Sequence, residues 1–391
     1  MYVVSEPFEK DYNKSLNALG IPIQKDPFPI SPPSNVDYWA NNKNILERII
    51  QAHLDSMMFA SNALYVFWGA IGVGKTFAAQ YLANPKTKEI VRESFKKDIE
   101  TLIFRVVAAS ALKTGQLTYS LYKDIVRNCL NKILSDKKLI RVLNTSHNQI
   151  DNEKIKAAFR DIQKAMILTV DGRLNIEKIA MSEGYKLLIQ DKSKLGKVQD
   201  TNELITIIKF LAWVLLHRFN RIIITIDELE NLARGTRAET FLVNDLIRKM
   251  HDEVEYGLTL ILIFTFDSFD EVRGTLQTSV VDRIRDVIEF NFVEKVSDIK
   301  EYIKDCIKLR STKPSKDIIA PEVVTKISEN LKTKFQKRVS FRVINKEMHR
   351  IFAETFIKAG QPSKYKVDLK LYQSTISLMT PKKFIQRMKV K

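Results

Sequence analysis

Residues 64–76 read Leu64-Tyr65-Val66-Phe67-Trp68-Gly69-Ala70-Ile71-Gly72-Val73-Gly74-Lys75-Thr76, an apolar run entering a glycine-bracketed loop that ends in Lys-Thr. The run is β-branched and aromatic, so it reads as a buried strand. From Gly69 to Thr76 the loop fits the pattern G-x-x-x-x-G-K-[ST], whose glycines let backbone N–H groups turn inward around a phosphate. Lys75 adds a point charge over the β- and γ-phosphates, and Thr76 offers a hydroxyl to Mg²⁺. The helix that follows opens at Lys75, with Phe77 in its first turn. Gly69, Ala70, Ile71, Gly72, Val73, Gly74, Lys75, Thr76 and Phe77 are therefore the expected triphosphate cradle.

A second apolar run, Arg221-Ile-Ile-Ile-Thr-Ile-Asp227-Glu228, ends in two acids. An Asp at the C-terminal end of a buried strand can hold Mg²⁺, which makes Thr76 and Asp227 the expected metal residues. The Glu after it can reach an attacking water and act as general base. Ligands of open α/β sheets collect at such strand ends, so the two motifs are expected to converge. An N-cap role for Asp227 at the strand–helix turn is the competing reading and could hold alongside it.

Outward from these motifs, apolar strands alternate with helices. Strands are expected at 64–69, 102–108, 221–228, 258–266 and 287–292, and helices at 41–58, 75–83, 118–134, 202–219 and 237–252. Thr118 reads as the N-cap of its helix. Strands apolar on both faces imply a parallel sheet covered by helices on both sides. Residues 136–200 break the rhythm. They are polar, lysine-rich and locally helical, at about 151–168 and 176–189, and read as an insertion. Six prolines between Pro7 and Pro33 suggest that residues 1–36 are an extended, draped arm. Beyond Ser297 the pattern is helical only, at about 297–309, 321–333, 340–359 and 368–377. The expected organisation is thus an arm (1–36), an α/β domain (37–296) and a basic helical lid with its tail (297–391).

Composition narrows the partners. The chain has 391 residues and a net charge of +17. Residues 295–391 hold 24 Lys and Arg against 9 Asp and Glu, and so carry +15 of it. That asymmetry points to a polyanion met by the C-terminal part; a solvated face tuned for solubility is the competing account. No stretch is apolar and long enough to span a membrane. The first residues lack a secretory pattern, and the two cysteines, Cys129 and Cys306, sit apart from any ligand-spaced partner. A cytoplasmic protein is expected.

Three further positions carry chemistry. The strand at 258–266 ends Thr265-Phe266-Asp267, offering Thr265 or Asp267 near a γ-phosphate. Ser279-Val-Val-Asp282-Arg283-Ile284-Arg285 precedes the last strand, where Arg283 is placed to project into a neighbouring subunit's site. Pairing with Asp282 or Asp286 is its alternative, and Arg285 is the next candidate. Arg342, in Val339-Ser-Phe-Arg342, opens a lid helix and faces back toward the sheet, as a γ-phosphate sensor in cis or as half of a lid salt bridge.

This order of motifs resembles the AAA+ ATPases over residues 37–358. Within them it is similar to the initiator-like group, which includes origin-recognition ATPases and transposition regulators of the TnsC kind. The similarity extends to the lead-in Asp26-Pro-Phe-Pro…Asp37-Tyr-Trp-Ala-Asn-Asn-Lys-Asn-Ile-Leu and to Ala109-Ser-Ala…Thr118-Tyr-Ser-Leu-Tyr-Lys-Asp-Ile. The resemblance implies an ATP hydrolase with Lys75, Asp227, Glu228, Thr265, Arg283 and Arg342 in catalytic roles. It further implies an ATP-switched homo-oligomer acting on DNA with little sequence preference. A signalling or anti-invader defence ATPase acting through a protein partner is the second reading. A protein-remodelling motor is the third, and the aromatic-Val-Gly pore loop expected of one is not seen.

Overall fold

The computed structural model describes residues 6–30, 39–40, 43–58, 61–96, 98–108, 116–146, 150–166, 176–189, 201–336 and 338–376. Five strands, β1 (Ala63–Gly69), β2 (Thr101–Val107), β3 (Arg221–Asp227), β4 (Leu258–Thr265) and β5 (Ile284–Phe290), form one sheet in the order β2-β3-β4-β1-β5. All pairings are parallel. The C-terminal ends of all five strands therefore lie along one edge. Gly69 is in register with Thr265 on one side and Phe290 on the other, while Val107 faces Asp227.

Continuous burial explains the continuous apolar strands: β3 is buried at every position. One face carries Leu64, Val66, Ile224, Ile226, Leu260 and Leu262 against the helices Gln116–Leu134, Asn202–Leu216 and Arg237–Glu253. The other carries Tyr65, Phe67, Ile223, Ile263 and Ile288 against Lys43–Met58 and Lys75–Tyr81. At roughly 25 cal/mol per Å² of apolar surface removed from water, these two layers are the main stabilising term of the domain.

The insertion is built into the first layer. Its helices Lys137–Ser146, Glu153–Ala165, Ile176–Met181 and Glu183–Ile189 bury Leu139, Leu143, Phe159, Ile162 and Leu188 in the same core as the sheet. Tyr122 Oη donates to the Leu188 carbonyl at 2.9 Å, tying it to the central helix.

Two expectations are corrected. Residues 6–19, expected to be part of an extended arm, form a helix (Glu6–Leu19) packed on the lid helix Phe341–Lys358. Prolines misled the reading: Pro7 falls in the first helical turn, where a missing N–H costs nothing, and the rest lie beyond the helix. Tyr12, Leu16 and Leu19 form its buried stripe. Thr118 lies inside the helix Gln116–Leu134 rather than capping it; its N–H and hydroxyl donate to Glu239 Oε1 at 2.7 and 2.9 Å.

The lid comprises Val296–Arg310, Pro321–Phe335, Phe341–Lys358 and Leu369–Ile376, around a core that includes Tyr12, Leu16, Ile21 and Phe28 from the N-terminal segment. Tyr12 stacks on His349 with ring centroids 3.6 Å apart. The lead-in positions Asp37 and Tyr38, the Ala109-Ser-Ala stretch and the basic tail from 377 lie outside the described residues. Among the described residues no helix is long and apolar enough to cross a membrane.

Candidate nucleotide-binding site

The loop after β1 is shaped by its glycines. Gly69 has φ +144°, and a Cβ there would sit 2.2 Å from the Phe290 carbonyl oxygen. Gly72, at φ +79°, lies under the lid, where a Cβ would meet Arg342 Cβ at 2.7 Å. No L side chain fits either place, so the backbone pattern is dictated by the strand and lid around it.

Lys75 is 5% exposed, and its ammonium donates to the Gly69 and Ala70 carbonyls at 2.8 and 2.7 Å. Burial pulls its pKa down to about 8, against the opposing pull of Glu230 and Asp227. Thr76 Oγ1 donates to Asp227 Oδ2 at 2.7 Å, which joins the two sequence motifs directly. The same oxygen accepts from Arg105 Nη2 at 2.8 Å and Nε at 3.2 Å, and Asp227 Oδ1 accepts the Glu228 N–H at 2.9 Å.

Glu228 stands in the left-handed region, at φ +61°. Its side chain is exposed, and its pKa is raised by partial burial and by the neighbouring charges of Asp227 and Glu230. Glu230 turns back toward the sheet, where its Oε2 accepts the Thr265 N–H at 3.1 Å.

These groups line a cavity of about 220 Å³ between the sheet edge and the lid. Residues 71–77 line it, as do Asp227, Glu228, Thr265 and Arg342. Gly69 and Ala70 contribute the carbonyls that hold Lys75, and Asp267 is not among the walls. The other end is apolar and aromatic, with Ile30, Trp39, Ile45, Tyr302 and Phe341. Asn345 holds that wall together, donating to the Pro29 carbonyl and accepting from Tyr302 Oη, each at 2.8 Å. An elongated ligand with a polyanionic tail and a flat apolar head matches this division. The Arg342 N–H reaches the Gly72 carbonyl at 3.2 Å, so the lid closes on the loop itself.

Arg283 lies elsewhere. Its Nε and Nη2 fork onto Asp252 at 2.6 Å each, and Nη1 donates to the Ser279 carbonyl. The expected alternatives, Asp282 and Asp286, are not its hydrogen-bond partners; Asp286 instead accepts from Arg48 at 3.1 Å. The last strand begins at Ile284 rather than Val287, which puts Arg285 inside it.

Arg105, Glu230 and Asn345 were not anticipated. Arg105 had a signal in a lone charge within Leu-Ile-Phe-Arg-Val-Val, and Glu230 in the second acid of Asp-Glu-Leu-Glu. Asn345 had none, because its partners come from the far ends of the chain.

The chain matches no protein-family model and no curated protein. Its solved structural neighbours include the Aeropyrum pernix ORC2 protein in ADPNP-ADP complexes. That pair has TM-score 0.53 and 13% identity, covering 90% of this chain and 71% of that one. The ADP form of the same protein gives TM-score 0.52 and 12% identity, over 87% of this chain and 69% of that one. The chain has the fold of the AAA+ ATPases. The Aeropyrum pernix ORC1 protein in complex with DNA is similar at TM-score 0.46 and 14% identity, and the chain spans 66% of its length.

Proposed function

We propose that this chain binds and hydrolyses ATP with Mg²⁺ and works as an ATP-dependent switch that assembles as a homo-oligomer on DNA. The observation that carries the reading is the 2.7 Å hydrogen bond between Thr76 and Asp227 within the cavity beside Lys75. A hydroxyl and a carboxylate brought together at a phosphate loop are the hard oxygen donors that Mg²⁺ prefers. The loop, in which Gly69 and Gly72 sit where no Cβ would fit, suits a phosphate chain. ADPNP and ADP in the ORC2 neighbour support the same assignment.

Residues 69–77 grip the phosphates, with Lys75 exchanging its carbonyl partners for phosphate oxygens. Thr76 and Asp227 hold Mg²⁺, which supplies positive charge against the triphosphate. Glu228 orients the attacking water and accepts its proton on the carboxylate, a role its raised pKa favours. Thr265 places a hydroxyl near the γ-phosphate. Arg342 contacts it in cis from the lid, and Arg283 in trans from the next subunit. Phosphate contacts by the lysine-rich C-terminal quarter supply DNA affinity with little sequence information.

The deciding experiment is the ATPase rate of the parent chain with and without duplex DNA, beside Lys75→Ala. Hydrolysis that DNA stimulates and Lys75→Ala abolishes is expected. No hydrolysis sinks the enzyme assignment, and hydrolysis indifferent to DNA moves the partner to a protein.

A further inference from the structure

The turn that carries Glu228 is held from both sides by residues that take no part in gripping phosphate. Pairing of β3 with β4 stops at Ile226 and Leu262, whereas β1 accompanies β4 as far as Thr265. The end of β4 thus continues past the end of its β3 ladder. A buried N–H left there would cost free energy comparable to a lost hydrogen bond. Glu230 fills that gap. Its Oε2 takes the Thr265 N–H at 3.1 Å, so a side chain forms the next rung where the strand has turned away.

The opposite flank is closed by the next residue. Asn231 Nδ2 donates to the Ala108 carbonyl at 2.6 Å, and Ala108 N–H donates to the Asp227 carbonyl at 2.8 Å. Leu229, which precedes both anchors, is fully buried. Glu228 just before them keeps a left-handed backbone, φ +61°. That conformation is strained for a non-glycine residue and persists only where its surroundings impose it.

We propose that Glu230 and Asn231 are positioning residues. They rivet the Asp227–Asn231 turn to β4 and β2, and so fix the Glu228 carboxylate and Thr265 relative to each other at the γ-phosphate end of the cavity. The inference rests on the reading of Glu228 as general base. Glu230 acts through the acceptor it presents to Thr265, and Asn231 through the donor it presents to Ala108. Neither moves a proton.

The test uses the full chain and measures MgATP hydrolysis together with binding of a fluorescent ATP analogue. Glu230→Ala is expected to lower kcat at least about tenfold, the scale of a slightly misplaced catalytic group. Nucleotide Kd should stay within about threefold, because the phosphate loop is untouched. Glu230→Gln keeps a carbonyl oxygen for the Thr265 N–H and should recover most of the lost rate. Asn231→Ala should behave as Glu230→Ala does. Parent-like hydrolysis by Glu230→Ala overturns the proposal. So does a Glu230→Gln variant as inactive as the alanine with nucleotide still bound, since charge rather than the rung would then matter. Loss of nucleotide binding in step with activity overturns it as well. Glu228→Gln separates the two ideas: if it hydrolyses normally, the general-base assignment has failed. If it is inactive while Glu230→Ala is normal, only the riveting has failed.

Discussion

Thr76 and Asp227, 151 residues apart in the chain, meet through a 2.7 Å hydrogen bond at the mouth of the phosphate loop. Sheet order makes this possible. β4 alone separates β1 from β3, so the loop leaving β1 and the acids ending β3 emerge from the same edge. Arg105 comes from β2 to the same carboxylate oxygen, giving Asp227 a cation and a hydroxyl at once.

Lys75→Ala removes the ammonium held between the Gly69 and Ala70 carbonyls. The expected outcome is a rise in ATP Kd of about 30-fold or more, the scale for losing a buried charged partner. Calorimetric titration of Mg-ATP checks it.

Glu228→Gln keeps the shape of the turn and removes the proton acceptor. Hydrolysis should fall about 100-fold or more while nucleotide binding stays intact, trapping the ATP-bound oligomer. Single-turnover kinetics beside size-exclusion chromatography with ATP would show both.

Arg283 is forked onto Asp252, a pair partly open to water. The arginine's hydrogen bonds hold the Asp252 carboxyl below its ordinary pKa. Arg283→Ala should keep nucleotide binding and lose hydrolysis, and mixing it with Lys75→Ala should restore some activity. Asp252→Asn should free Arg283 for the neighbouring subunit. Exposed ion pairs are worth about 0.2–1 kcal/mol, so half-maximal ATPase should need roughly 1.4- to fivefold less protein. An unchanged midpoint would remove Asp252 from the assembly equilibrium.

Duplex DNA affinity should fall steeply with salt, with a log–log slope of about −4 or steeper if five or more phosphates are neutralised. Fluorescence anisotropy across a salt series measures this; a flat series would exclude a phosphate-driven complex.

His53 supplies a pH signature of the fold. It is buried beside Arg221, and desolvation pushes its pKa down to about 4 from an ordinary 6.5. Between those values the unfolded chain binds the proton and the folded chain does not, so stability falls as pH drops from 6.5 toward 4. Integrating that difference gives a loss of about 2 kcal/mol between pH 7 and pH 5. Urea unfolding at both pH values should show it, and His53→Gln should remove most of that pH-dependent loss.

Much of the site was legible because the motifs are local. The loop 69–76 and the acids 227–228 are each fixed by a few neighbouring residues whose chemistry constrains their spacing. The parallel sheet followed from strands apolar on both faces, β3 being buried at every position. The helix Glu6–Leu19 escaped because prolines outweighed the Tyr12, Leu16 and Leu19 stripe, whose meaning depends on a lid more than 300 residues downstream. The pairing of Arg283 with Asp252 escaped for a similar reason, since two helices and a strand separate them.

By itself the sequence determined which residue types could hold a triphosphate and its metal, and that strands would carry them to one sheet edge. Periodicity and glycine spacing are local properties, written in consecutive residues. Tertiary structure alone decided who answers whom: Arg105 on Asp227, Glu230 under Thr265, Asn345 against Pro29, and the lid's Arg342 over Gly72. Each of those contacts joins segments far apart in the chain, and only packing and the need to satisfy buried polar groups bring them together.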